Sequence, residues 1–144
     1  MRGKIAAVNK LISFLFNLIP SQVVYAHCDV PCGIYDPKPA QIAAATVLKM
    51  VQKLKEYPED DLNNRVRAIW TKEEHARKCK EEILILWTDY FKEEHLEKFP
   101  DLHEKFWKTA KLCSENKQHV DEEKAQELVK AVDEIAQMFA DSKK

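Results

Sequence analysis

The chain has 144 residues, 45% hydrophobic and 33% charged, with a formal net charge of −1. That is one domain's worth of sequence, long enough to bury a core without staples. It holds only two glycines, Gly3 and Gly33, which excludes the glycine-rich phosphate loops of dinucleotide- and nucleotide-binding folds and starves a many-stranded sheet of turn residues. Both signs of charge are interspersed, which argues against a nucleic-acid-binding domain. Lys, Glu, Ala and Leu are abundant, and the composition points to an all-α fold.

The first 26 residues form a segment apart. Arg2, Lys4 and Lys10 are the only charges before Asp29; the apolar run Leu11–Ile19 follows, then Pro20 and the tail Val24-Tyr25-Ala26. This is the basic, apolar, small-residue order of a secretory signal cut after Ala26, or of a propeptide. The apolar run is too short to span a bilayer as a helix. A signal peptide implies export to a periplasmic or other extracytoplasmic space; a propeptide implies a cytoplasmic protein with its own maturation protease. Removing 26 of 144 residues leaves 118, and losing three of the 23 basic residues against 24 acidic ones leaves a net charge of −4. The new N-terminus is His27.

Residues 27–37 come next, and the body after them reads as an antiparallel four-helix bundle over 38–144. From Ala40 to about Tyr57, Ala43, Val47, Met50, Val51 and Leu54 recur at helical spacing ahead of Pro58. A long second pattern from Leu62 to Phe91 predicts an inward stripe of Leu62, Val66, Ile69, Trp70, Ala76, Ile83, Leu86, Trp87 and Tyr90. A third starts at Pro100 with Leu102, Phe106, Ala110 and Cys113. The fourth opens at Asp121-Glu122-Glu123, suited to a helix N-terminus, and carries Ala125, Leu128, Val129, Val132, Ile135, Ala136 and Phe139. No histidine in this body has an acidic residue three places before it, so the Glu-x-x-His pairs of di-iron bundles are missing. His75, His95, His103 and His119 read as surface or packing residues. Cys79 and Cys113 read as buried thiols or one bridge, and Trp70, Trp87 and Trp107 fit core or subunit-contact roles.

The chemistry is concentrated in His27-Cys-Asp-Val-Pro-Cys-Gly-Ile-Tyr35-Asp-Pro37. A cut before His27 frees its α-amine, which with the Cys28 amide nitrogen closes a five-membered chelate ring on a metal. The Cys28 thiolate adds a fused ring, and Pro31 and Gly33 bend the chain so that Cys32 folds back as a fourth donor. A planar set of two nitrogens and two sulfurs suits Ni(II) or Cu(II) and not tetrahedral zinc, with the His27 imidazole free for an axial position. An even cysteine count in an exported chain ordinarily means bridges, and without the flanking residues Cys28 and Cys32 would read as a small disulfide.

This stretch resembles the nickel hook of the nickel superoxide dismutases, with Val30 and Ile34 at the variable positions. Leu86-Trp-Thr-Asp-Tyr-Phe-Lys92 and Phe99-Pro-Asp-Leu-His103 resemble two further motifs of that family. The resemblance implies a helical bundle assembled as a homohexamer, with one nickel ion per subunit. It implies His27 (amine and imidazole), Cys28 (amide and thiolate) and Cys32 (thiolate) as ligands, Pro31 fixing the hook turn through a cis bond, and Tyr35 at the open face helping to orient superoxide. Nickel would cycle between Ni(II) and Ni(III), with His27 as the axial ligand, and two superoxides would become dioxygen and hydrogen peroxide. Lys38 and Lys92 are candidates for steering that anion. Where family members hold the axial imidazole with a glutamate paired to an arginine, this chain has Ala43 and His75. The competing readings are a non-catalytic nickel or copper binder and an exported, disulfide-stapled helical adaptor.

Overall fold

Local chemistry sets the helix ends. A computed structural model of the chain describes residues 33–144; the leader and hook residues 27–32 lie outside the described residues. The first helix, α1 (Lys38–Glu56), starts where the Asp36 carboxylate accepts from the Lys38 amide at 2.8 Å. Pro39 falls in the first turn, where no N–H is needed. The helix stops at Tyr57, whose backbone is extended ahead of Pro58. In α2 (Leu62–Ile85) the capping residue Asp61 accepts from the Asn64 amide at 3.2 Å, and in α4 (Glu122–Ser142) Asp121 does the same for Lys124 at 3.2 Å. Between α2 and α3 (Leu102–Gln118) lie a π-helical turn, Leu86–Tyr90, and a 3-10 turn, Glu93–Leu96. The third helix thus begins two residues after Pro100, which sits in the preceding turn.

Cross-helix bonds fix an antiparallel ring. Gln41 near the start of α1 donates to Asp133 in α4 at 2.7 Å, while Lys55 near its end donates to Glu122 at the start of α4 at 2.6 Å. Lys80 of α2 donates to Ser114 of α3 at 3.1 Å, and Trp87 just beyond α2 donates to His103 at 2.9 Å. The core that these contacts enclose is made of Val47, Val51, Ala76, Ile83, Phe106, Leu128, Val132 and Ile135, with Cys79 and Cys113 among them. The predicted inward residues of α3, and Ala125, Leu128, Val132, Ile135 and Phe139 of α4, are buried.

The first half of the predicted α2 stripe is not. Leu62, Val66 and Trp70 are 70%, 57% and 71% exposed, and Ile69 is exposed beside them. The inward face runs instead through Ala68, Lys72, Ala76, Cys79 and Ile83. Helical spacing locates an apolar face but not the side it turns to the core, and here a lysine takes the inward position. The long helix also does not run unbroken to Phe91, because the π-turn intervenes.

Lys72 is buried at 2% exposure because its ammonium closes the end of α3. It donates to the carbonyl of Asn116, to that of Lys117 at 2.9 Å and to that of His119 at 3.0 Å. These are carbonyls that a helix C-terminus leaves without intrahelical partners, and a cation there also complements the helix dipole. Burial lowers the Lys72 pKa, partly offset by the charge of Glu73. Replacing it with an apolar side chain of similar length orphans these acceptors, so Lys72→Met is expected to cost about 2 kcal/mol. The check is a lower urea midpoint at unchanged denaturant slope; an unchanged midpoint refutes the capping role.

Candidate metal centre

The described part of the hook begins at Gly33, whose φ of +68° is a left-handed conformation that an L side chain adopts only under strain. Among the described residues nothing lies within 4 Å of where a Cβ would stand, so it is the backbone conformation that calls for a glycine here. The next two residues part company. Ile34 is 78% exposed, while Tyr35 is half-buried and packs against the core. Asp36 and Pro37 then launch α1.

Tyr35 rests on Tyr90, their ring centroids 5.5 Å apart and tilted by 57°. Tyr90 closes the π-turn, in which the Phe91 amide reaches back five residues to the Leu86 carbonyl at 3.0 Å. Single π-turns of this kind re-aim side chains that a regular helix would place elsewhere and recur at functional sites. Tyr90 is held on several sides, with Phe139 at 4.5 Å, Phe91 at 5.0 Å and His95 at 5.7 Å between ring centroids. Its hydroxyl lies 2.7 Å from the Ser142 hydroxyl. Ser142 donates its own proton to the Phe139 carbonyl at 2.8 Å, so the tyrosine is the donor of that pair.

The two later motifs meet on the same side of the bundle. The Trp87 indole N–H donates to His103 Nδ1 at 2.9 Å, and the Trp87 ring stacks on Phe106 at 5.8 Å. The Lys92 amide donates to His95 Nδ1 at 2.9 Å. His95 and His103 are therefore packing and capping residues, as expected from sequence, and Trp87 is half-buried while Trp70 and Trp107 are exposed. Lys38 and Lys92 are exposed. Ala43 is buried in the core, and His75 bonds through Nδ1 to the Thr71 carbonyl of its own helix at 2.9 Å. Cys79 and Cys113 are free thiols, so of the two sequence readings the bridge is the one not found. The sequence places Tyr90 on the inward stripe of the long helix, and it does pack against the core; the 86–92 motif marks the residue but not the turn that aims it.

His27, Cys28, Pro31 and Cys32 lie outside the described residues. Among the described residues no group of three or more His, Cys, Asp or Glu side chains could hold a metal ion. The donors of the hook fit nickel on their chemistry: two thiolates, an amine and an amide are the strong-field, planar set that Ni(II) favours.

Residues 22–143 match the family model described as nickel-containing superoxide dismutase. The superoxide dismutases [Ni] of Streptomyces coelicolor and Streptomyces seoulensis are each 37% identical over 134 residues, 93% of this chain and 99% of theirs. The native nickel superoxide dismutase structure superposes with a TM-score of 0.76 at 37% identity, covering 82% of this chain and 100% of that one. The fold and the hook sequence together define a helical-bundle metalloenzyme. The chain belongs to the nickel-containing superoxide dismutase family: it is an oxidoreductase that disproportionates superoxide, and its cofactor is nickel.

The packing behind Tyr35 separates two variants of Tyr90. Tyr90→Phe keeps the ring and loses one hydrogen bond, so turnover should stay within a few-fold of the parent and stability fall by about 1 kcal/mol. Tyr90→Ala removes the surface under Tyr35 and should reduce turnover by tenfold or more. Pulse radiolysis of nickel-loaded protein measures both, and equal rates for the two variants would show that the ring seats nothing.

Proposed function

We propose that His27, Cys28 and Cys32 hold the nickel ion, with Tyr35 as the residue that orients superoxide. The observation that carries this reading is the uninterrupted run His27–Pro37, with all its chemistry-bearing residues, in a chain of this family. Nickel held there would supply a one-electron Ni(II)/Ni(III) couple, the chemistry that disproportionation needs: one superoxide is oxidised to dioxygen, and a second takes up two protons and is reduced to hydrogen peroxide. The protein's part is to make that couple accessible. The thiolates of Cys28 and Cys32 and the deprotonated Cys28 amide would donate electron density that water ligands do not, and the His27 imidazole would be a further donor. Tyr35, three residues after Cys32 and braced by Tyr90, offers a phenol whose O–H can donate to the anionic substrate. Lys38 and Lys92, both exposed, supply local positive charge for steering in a chain of net negative charge.

The ligand set requires a cut after Ala26, because a peptide bond at His27 would replace the amine by a far poorer donor. The coverages support this cut. The curated relatives match 93% of this chain, whereas the solved structure is covered whole by 82% of it, about 118 of 144 residues. A leader-processing protease is thus a partner of the precursor, and the basic-then-apolar order of the leader supports export. No helix among the described residues is long and apolar enough to cross a membrane. The homohexamer is supported by the apolar face of α2: Leu62, Val66, Ile69 and Trp70 form an exposed stripe of the kind that subunit contacts cover.

Native mass spectrometry of the processed protein from a nickel-fed host tests the whole reading. It should show six chains starting at His27, each with one nickel; processed, metal-free chains carrying a Cys28–Cys32 disulfide would overturn it. Cys28→Ser and Cys32→Ser should each abolish turnover, with nickel binding and the Ni(III) resonance measured alongside. Uncut chain should be inactive. Trp70→Glu should shift the assembly toward smaller species, and an unaltered hexamer would exclude this face from the contact.

A further inference from the structure

Two nucleophilic side chains have no part in the hook. Cys79 of α2 and Cys113 of α3 are both fully buried, both reduced and both members of the one core cluster. Their facing register is pinned independently. One residue further along each helix, Lys80 donates to Ser114 at 3.1 Å, and two turns before Cys79 Lys72 grips the end of α3. The helices cannot slide apart without breaking these bonds.

We propose that Cys79 and Cys113 are an oxidisable dithiol that closes to a cross-helix disulfide under hydrogen peroxide, the product of the enzyme's own reaction. One sulfur attacks a peroxide oxygen and the O–O bond breaks. That sulfur becomes a sulfenic acid, and the other oxygen leaves as water, taking up the thiol proton. The second sulfur then displaces the sulfenic hydroxyl, which leaves as a second water with the second thiol's proton. Two thiols and one peroxide give one disulfide and two waters, each sulfur losing one electron and each peroxide oxygen gaining one.

Burial decides the rate and adjacency decides the product. The neighbouring Cys113 thiol, burial and the Glu82 carboxylate push the Cys79 thiol pKa well up. Thiolate, the reactive form, is therefore scarce, and a brief pulse of peroxide leaves the pair untouched. Once one sulfur is oxidised, its partner on the facing helix, held in register by the Lys80–Ser114 and Lys72 bonds, reacts at the high effective concentration of an intramolecular partner. The disulfide forms before a second peroxide can drive the sulfenic acid on to irreversible sulfinic acid.

The test uses processed, nickel-loaded enzyme held in excess hydrogen peroxide for hours, then unfolded in an alkylating agent and mapped by mass spectrometry. The expected result is a tryptic species joining the Cys79 and Cys113 peptides, lighter by about 2 Da than the two thiol peptides together and split by reductant. In Cys113→Ser, Cys79 should instead give a dimedone-trapped sulfenic acid and then sulfinic acid. Recovery of both cysteines as alkylated thiols, as separate sulfinic acids, or joined to Cys28 or Cys32 overturns the proposal. The wild-type map decides the matter even if the variant does not fold.

Discussion

The seating of Tyr35 on Tyr90 is the contact through which the bundle acts on the hook's described end. A hook of eleven residues has no core of its own, and a peptide of that size cannot hold a conformation against chain entropy. What the described residues offer it is one seat for Tyr35, an aromatic cluster in which Tyr90 is fixed by Phe91, His95 and Phe139 and anchored by a hydrogen bond to Ser142 near the end of α4.

The hook and the helix count were legible in the sequence for different reasons. The ligation proposed for His27, Cys28 and Cys32 is local: its donors would lie within six residues, so their spacing is enough to suggest a chelate. The helices were legible because Ala125, Leu128, Val132 and Ile135 repeat at the helical period. The orientation of α2 was not. Its N-terminal half has two faces of similar polarity, one with Leu62, Val66 and Trp70, the other with Ala68, Lys72 and Ala76. The choice between them turns on a long-range bond, the Lys72 ammonium against the end of α3, that no local pattern records. An apolar stripe left exposed looks the same in sequence as one turned to the core.

The π-turn was invisible for a related reason. Leu86–Tyr90 continues the helical period of α2 closely enough to read as one helix, and Leu86 and Tyr90 do contact the core. The extra residue in the turn follows from what lies beyond it. Phe91 is buried against Phe106, and Trp87 is tied to His103, so the start of α3 dictates where the end of α2 must unwind. The two family motifs at 86–92 and 99–103 are thus one structural unit, divided in sequence by the 3-10 turn.

The chain's four cysteines fall into two pairs with opposite chemistry, and their surroundings explain the division. Cys28 and Cys32 fall in the proposed hook, where nickel would hold both as thiolates. Cys79 and Cys113 are enclosed by the apolar residues of facing helices, where negative charge is penalised. An enzyme that handles superoxide and releases peroxide cannot leave spare thiolates within reach of either. Burying the second pair suppresses its reactivity, and pairing it ensures that what reactivity remains ends in a reducible bond. The same core that seats Tyr35 through Tyr90 therefore also decides how far peroxide can reach the second pair of sulfurs.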